Sequence, residues 1–103
     1  MASDKEYLEF ILEQLSESDY ITYRKMMGEY IIYYRDKVIG GIYDNRFLIK
    51  PTKTALLSPG DMALPYEGAK PMLQISDLEN KEHLKKLIEA VYNELPEKKA
   101  KID

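Results

Sequence analysis

Between positions 66 and 71 the chain reads Tyr66-Glu67-Gly68-Ala69-Lys70-Pro71, a phenol, a carboxylate and an amine within five positions. Gly68 permits the positive φ that lets such a segment turn tightly, so the three polar groups can converge as a ligand clamp. The competing and preferred reading folds Tyr66 back onto the sheet as an anchor and leaves Glu67 and Lys70 as a weak surface pair. For catalysis nothing supplies a nucleophile beside a base, or an oxyanion site, so no catalytic residue is assigned and a non-enzymatic protein is expected. Arg24-Lys25 with Glu29 can hold an anion at a strand entrance, although alternating strand positions on a solvated edge look the same, and the edge is the preferred reading. Gly40-Gly41 lacks the spacing and the helix start of a phosphate loop; a bulge or the close approach of a packed helix accounts for the pair better. His83, with Glu79 four residues earlier, reads as a surface side chain.

Composition narrows the remaining chemistry. The sequence holds 103 residues, no cysteine and one histidine, which removes disulfides, thiolate nucleophiles and sulfur-ligated metals; no metal site and no cofactor is expected. The acidic start of the chain has no basic segment followed by an apolar one, and no apolar run reaches the length of a membrane span, so a cytoplasmic location without membrane contact is the default. Charge is uneven: residues 1–23 carry one base and six acids, residues 24–53 seven bases and three acids, and residues 54–103 seven bases and nine acids, for a net charge of −3. The basic middle is also where Tyr30, Tyr33, Tyr34 and Tyr43 cluster.

The elements that must position these residues follow from periodicity. Ser3 with Glu6 three places on makes a capping box, and Tyr7, Leu8, Ile11, Leu12 and Leu15 recur at helical spacing to give a first helix with an acidic outer face. From Ile21 the period changes to two: four short runs, parted by Gly28, by Arg35-Asp36-Lys37 and by Asp44-Asn45, predict an antiparallel meander. Along the second of these, Tyr30, Ile32 and Tyr34 share one face while Ile31, Tyr33 and Arg35 share the other. Thr52 is placed as the cap of a short helix through Leu57, residues 59–71 as a long connection, residues 71–75 as a fifth strand, and Asn80 as the cap of a last helix that Pro96 stops. The predicted fold is α+β, an antiparallel sheet of about five strands flanked by helices in the order α-β-β-β-β-α-β-α, forming one domain over residues 1–96 with a solvated tail at 97–103.

Three segments together resemble the N-terminal domain of the TfoX family, bacterial regulators of competence genes: Arg24-Lys-Met-Met-Gly-Glu-Tyr30, Gly41-Ile-Tyr-Asp-Asn-Arg-Phe-Leu-Ile-Lys50 and Tyr66-Glu-Gly-Ala-Lys-Pro-Met72. The likeness extends roughly from Tyr7 to Leu95. It implies the order α-β-β-β-α-β-β-α and a regulatory role in the bacterial cytoplasm, and it offers no catalytic residues. Longer relatives carry a second helical domain, and this chain is read as a stand-alone form. Met27 stands where relatives commonly place phenylalanine, read as an apolar swap that a core tolerates.

The tyrosines then need a role. Interleaved with seven bases they can stack on a nucleic acid, but the acidic whole and the acidic first helix oppose that partner. Part of the set completing the core, and the rest meeting a second copy or another protein, needs fewer assumptions. The residues singled out for ligand or partner contact are Arg24, Glu29, Tyr30, Tyr33, Tyr66, Glu67 and Lys70.

Overall fold

A computed structural model describes residues 3–96 of the chain; the tail at 97–103 lies outside the described residues. The elements are α1 (Lys5–Gln14), β1 (Ile21–Met26), β2 (Glu29–Tyr34), β3 (Lys37–Ile42), β4 (Phe47–Ile49), a 3-10 turn at Ala55–Leu57, β5 (Gly60–Ala63), β6 (Met72–Ile75) and α2 (Lys81–Glu94). The strands form a six-stranded sheet in the order β1-β2-β3-β4-β6-β5, every neighbouring pair antiparallel. The α+β class and the four-strand meander read from periodicity are as expected. The sixth strand is the difference, since Gly60-Asp61-Met62-Ala63 falls within what reads as a connection. It contains no β-branched or aromatic residue, and only its pairing with β6, Gly60 opposite Ile75 through Ala63 opposite Met72, holds it extended.

The period-2 pattern sorts the faces of the sheet. Tyr30, Ile32 and Tyr34 are buried, and they join Ile39, Ile42, Phe47, Ile49, Leu73 and Ile75 beneath the apolar stripes of α1 (Leu8, Ile11) and α2 (Leu84, Leu87, Ile88, Val91). Each such side chain contributes roughly 1.5–3 kcal/mol by leaving water, so this single helix-covered layer dominates stability. Leu48 points the other way. It is fully buried yet stands apart from that core cluster, so the second face of the sheet is covered locally as well.

Three two-residue turns set the hairpins. Met27-Gly28, Arg35-Asp36 and Asp44-Asn45 all carry positive φ at both positions, the condition for the primed turns whose twist matches that of the strands. Met27 is therefore not a core residue: it sits at the tip of the β1–β2 hairpin, 96% exposed. Gly40 owes its place to a neighbouring strand rather than to a packed helix. A Cβ there would lie 2.2 Å from the Leu48 carbonyl oxygen and 2.8 Å from Ile49 Cα, beside a register shift between Ile32 and Tyr33.

The helix ends differ in part from the expected caps. Asn80 accepts from the His83 N–H at 3.0 Å, as its type suggests. Ser3 does not cap α1: its hydroxyl donates to the Glu29 carboxylate at 2.5 Å and accepts from the Asn45 N–H at 3.0 Å, which ties the start of the chain to the β3–β4 turn. The capping-box pattern fails because this tertiary acceptor takes the hydroxyl. Thr52 does not cap the 3-10 turn either; Thr54 precedes it and gives both its N–H and its hydroxyl to Glu94 of α2. At the far end of α2, the Lys37 ammonium donates to the carbonyls of Tyr92 (3.2 Å) and Leu95 (3.4 Å), where the helix dipole favours a cation. The same group lies 4.3 Å from the centre of the Tyr92 ring.

Candidate functional site

Two surfaces bring accessible polar and aromatic residues together. The first is a cleft of about 490 Å³ bordered by Tyr43, Lys50, Pro65, Tyr66, Lys70 and Met72, with Leu95 at one margin. Its outer wall is the 64–71 segment, held by Arg46, whose guanidinium donates to the Leu64 carbonyl at 2.9 Å and to the Pro65 carbonyl at 3.5 Å. The same side chain also donates to the Tyr43 carbonyl at 3.1 Å, so one cation joins the β3–β4 turn to the loop. Pro65 is buried against the domain while Tyr66 remains 64% exposed. The Tyr43 and Tyr66 rings stand 6.2 Å apart at a tilt of 56°, forming an aromatic corner. Burial first, then the neighbouring Tyr66 and Glu29, pushes the Tyr43 phenol above its ordinary pKa. It is a neutral hydrogen-bonding group at physiological pH.

The second surface is the outer edge of β1. Within the described residues no strand lies beyond it, and its side chains from Thr22 to Met26 are all exposed. Met26 and Glu29 flank the two-residue turn and so form a hydrogen-bonded pair, and the Arg35 N–H donates to the Tyr20 carbonyl at 3.1 Å at the other end of the hairpin. The even-numbered residues of β1 therefore direct their backbone groups to β2. Ile21, Tyr23 and Lys25 direct theirs outward. Tyr20 (61% exposed), Tyr23 (46%) and Met26 (49%) flank this row of free donors and acceptors.

The residues singled out from sequence divide among these places. Tyr66 and Lys70 border the cleft, and Glu67 is exposed on the same loop. Arg24 and Tyr33 come together with Thr22, Tyr23 and Asp36 around a shallow recess beside β1. Glu29 accepts from the Asp44 N–H at 3.2 Å as well as from Ser3, so its carboxylate orders a turn. Tyr30 is 5% exposed in the core, its ring edge-on to Tyr23 at 5.9 Å. Sequence reasoning missed Lys50, Arg46 and the outward role of Tyr23. Tyr23 was legible from strand parity once the turn at Met27-Gly28 was recognised; nothing local marks Arg46 as the anchor of the loop, whose Leu64 and Pro65 carbonyls lie 18 and 19 residues away.

Of the seven bases in residues 24–53, Arg35, Lys37 and Arg46 are engaged within the fold. Arg35 lies 4.4 Å from the Tyr20 ring centre, and the other two bind carbonyls. Among the described residues no helix is long and apolar enough to cross a membrane.

The chain is similar to an uncharacterized 12.7 kDa protein in the trpE 5′ region of Spirochaeta aurantia, 36% identical over 72 residues. The match takes in 68% of this chain and spans 63% of that relative's length. No family model matches the chain, and no solved structure matches it.

Proposed function

We propose that the protein is a non-enzymatic protein-interaction domain of the regulatory kind that the resemblance to TfoX N-terminal domains implies, acting in the bacterial cytoplasm through the outer edge of β1. The observation that carries this reading is the alignment of free backbone groups at Ile21, Tyr23 and Lys25 with exposed apolar side chains at Tyr20, Tyr23 and Met26. Strand addition at an open edge takes its affinity from main-chain hydrogen bonds and its specificity from the flanking side chains.

The simplest partner is a second copy. A two-fold axis at Tyr23 pairs that residue with its own counterpart and sets Thr22 opposite the second copy's Arg24, so like charges do not meet. The same axis brings Tyr20 beside the second copy's Met26, on both sides of the seam. A nucleic-acid partner has weaker support, because three of the seven central bases are engaged internally and Tyr30 and Tyr34 are buried.

Light scattering over a range of concentrations tests the reading together with the Lys25→Pro substitution. Proline there removes an outward N–H and leaves the β1–β2 ladder intact. Wild type should associate, and Lys25→Pro should remain monomeric with an unchanged circular dichroism spectrum. Equal association of the two proteins would remove β1 from the interface.

A further inference from the structure

We propose that the cleft between the segment that follows β4, Lys50 to Thr52, and the 64–71 loop is a binding site for a small organic anion with a flat aromatic body. The inference is independent of the β1 edge, since none of the residues bordering the cleft belongs to β1. Its volume of about 490 Å³ suits a ligand of one or two fused rings. The walls supply what such a ring needs: the tilted Tyr43 and Tyr66 pair on one side, and Pro65, Pro71 and Met72 around it. Methionine at that position lets the pocket adapt to the outline of the ring.

Charge selects the head group. Lys50 and Lys70 both border the cleft, and the ion pair present among the described residues, Lys81 with Glu13, involves neither of them. Glu94, the carboxylate that Thr54 engages, accepts from that residue's N–H and hydroxyl, which satisfies it at the 3-10 turn. Two lysines bordering an apolar wall favour a carboxylate, sulfonate or phosphate monoester over a neutral or cationic compound. The loop is also set in advance: Arg46 fixes the Leu64 and Pro65 carbonyls, and the Ala69 N–H donates to the Tyr66 carbonyl at 3.1 Å. A wall already held in place loses little entropy when a ligand arrives.

Naphthoate and its neutral counterpart naphthylmethanol are suitable probes, titrated into the full chain and followed by backbone amide NMR. Naphthoate should shift the amides of Lys50, Tyr66, Ala69, Lys70 and Met72 in a saturable way, and naphthylmethanol should bind at least about fivefold more weakly. Lys50→Ala and Lys70→Ala should each weaken naphthoate by about fivefold while leaving naphthylmethanol unchanged. Tyr66→Ala, at an exposed position that the fold tolerates, should weaken both probes. Lys25→Pro should bind naphthoate as wild type does, which separates this site from the β1 reading. No saturable shift at the solubility limit, shifts confined to other residues, equal binding of the two probes, or affinity indifferent to both lysines would each overturn the proposal.

Discussion

Met27 is the residue whose local chemistry and position disagree most. It holds φ at 53° in the first position of a two-residue turn, followed by Gly28 at 86°, and its side chain is 96% exposed. The left-handed region costs an ordinary L-residue roughly 1–2 kcal/mol, and asparagine recovers a good part of this through local hydrogen bonding. An exposed methionine adds almost no packing to offset the cost. Met27→Asn should therefore stabilise the fold by about 0.5–1 kcal/mol, which for a domain of this size raises Tm by about 3–6 °C. Thermal melts and urea midpoints of wild type, Met27→Asn and Met27→Leu provide the assay. Leucine relieves no backbone strain and should melt with wild type. If Met27→Asn melts at or below wild type, the turn is not strained in this way and the primed-hairpin argument for β1 and β2 fails.

Two further perturbations probe the framework. Gly40→Ala should abolish folding or cost more than about 3 kcal/mol, because its methyl carbon would meet the β4 backbone rather than a side chain able to move aside; a natively folded variant within about 1 kcal/mol of wild type would contradict the strand spacing described for β3 and β4. Acid should weaken the link between α2 and the 3-10 turn. The Thr54 hydroxyl and N–H hold the Glu94 carboxyl below its ordinary pKa, and the Lys81 ammonium does the same for Glu13. Both groups titrate lower in the folded state than in the unfolded one, so their contribution is complete above the ordinary carboxylate range and is lost as pH falls through the depressed folded values. Tm should hold steady from neutral pH to about pH 5 and fall below about pH 4, with a shallower fall in Glu94→Gln. An identical acid slope in that variant would exclude Glu94 as a contributor.

What the sequence made legible follows from which signals are local. Alternation in Tyr30-Ile31-Ile32-Tyr33-Tyr34 sorted these residues correctly onto two faces, because burial of one sheet face imposes a strict period of two, but it did not mark which face the helices cover, and Tyr30, singled out for contact, lies in the core. Asn80 was legible for the same reason: its acceptor and the amide it satisfies are three residues apart. Ser3 carried an equally good capping pattern and was misread, since its partner Glu29 is 26 residues away and no short window contains it. Gly60–Ala63 was missed because β6 makes it a strand and its own side chains do not. The TfoX-like order placed two strands after the short helical segment, as observed, while periodicity placed four before it, also as observed. Of the residues proposed for contact, Tyr66 and Lys70 do border one cleft. Lys50, which shares that cleft, was not legible, since it lies sixteen residues before Tyr66 and twenty before Lys70, and a strand crossing brings it there.

The central claim is that the outward backbone groups of β1 are a docking edge, and hydrogen exchange reads them one by one. In NMR-detected exchange from micromolar to millimolar protein, the amides of Ile21, Tyr23 and Lys25 should become protected together as the scattering mass doubles, while the exposed Glu67 and Gly68 amides in the cleft loop stay as they were. If those three β1 amides exchange at open rates at every concentration and the mass remains that of one chain, self-pairing at this edge is contradicted.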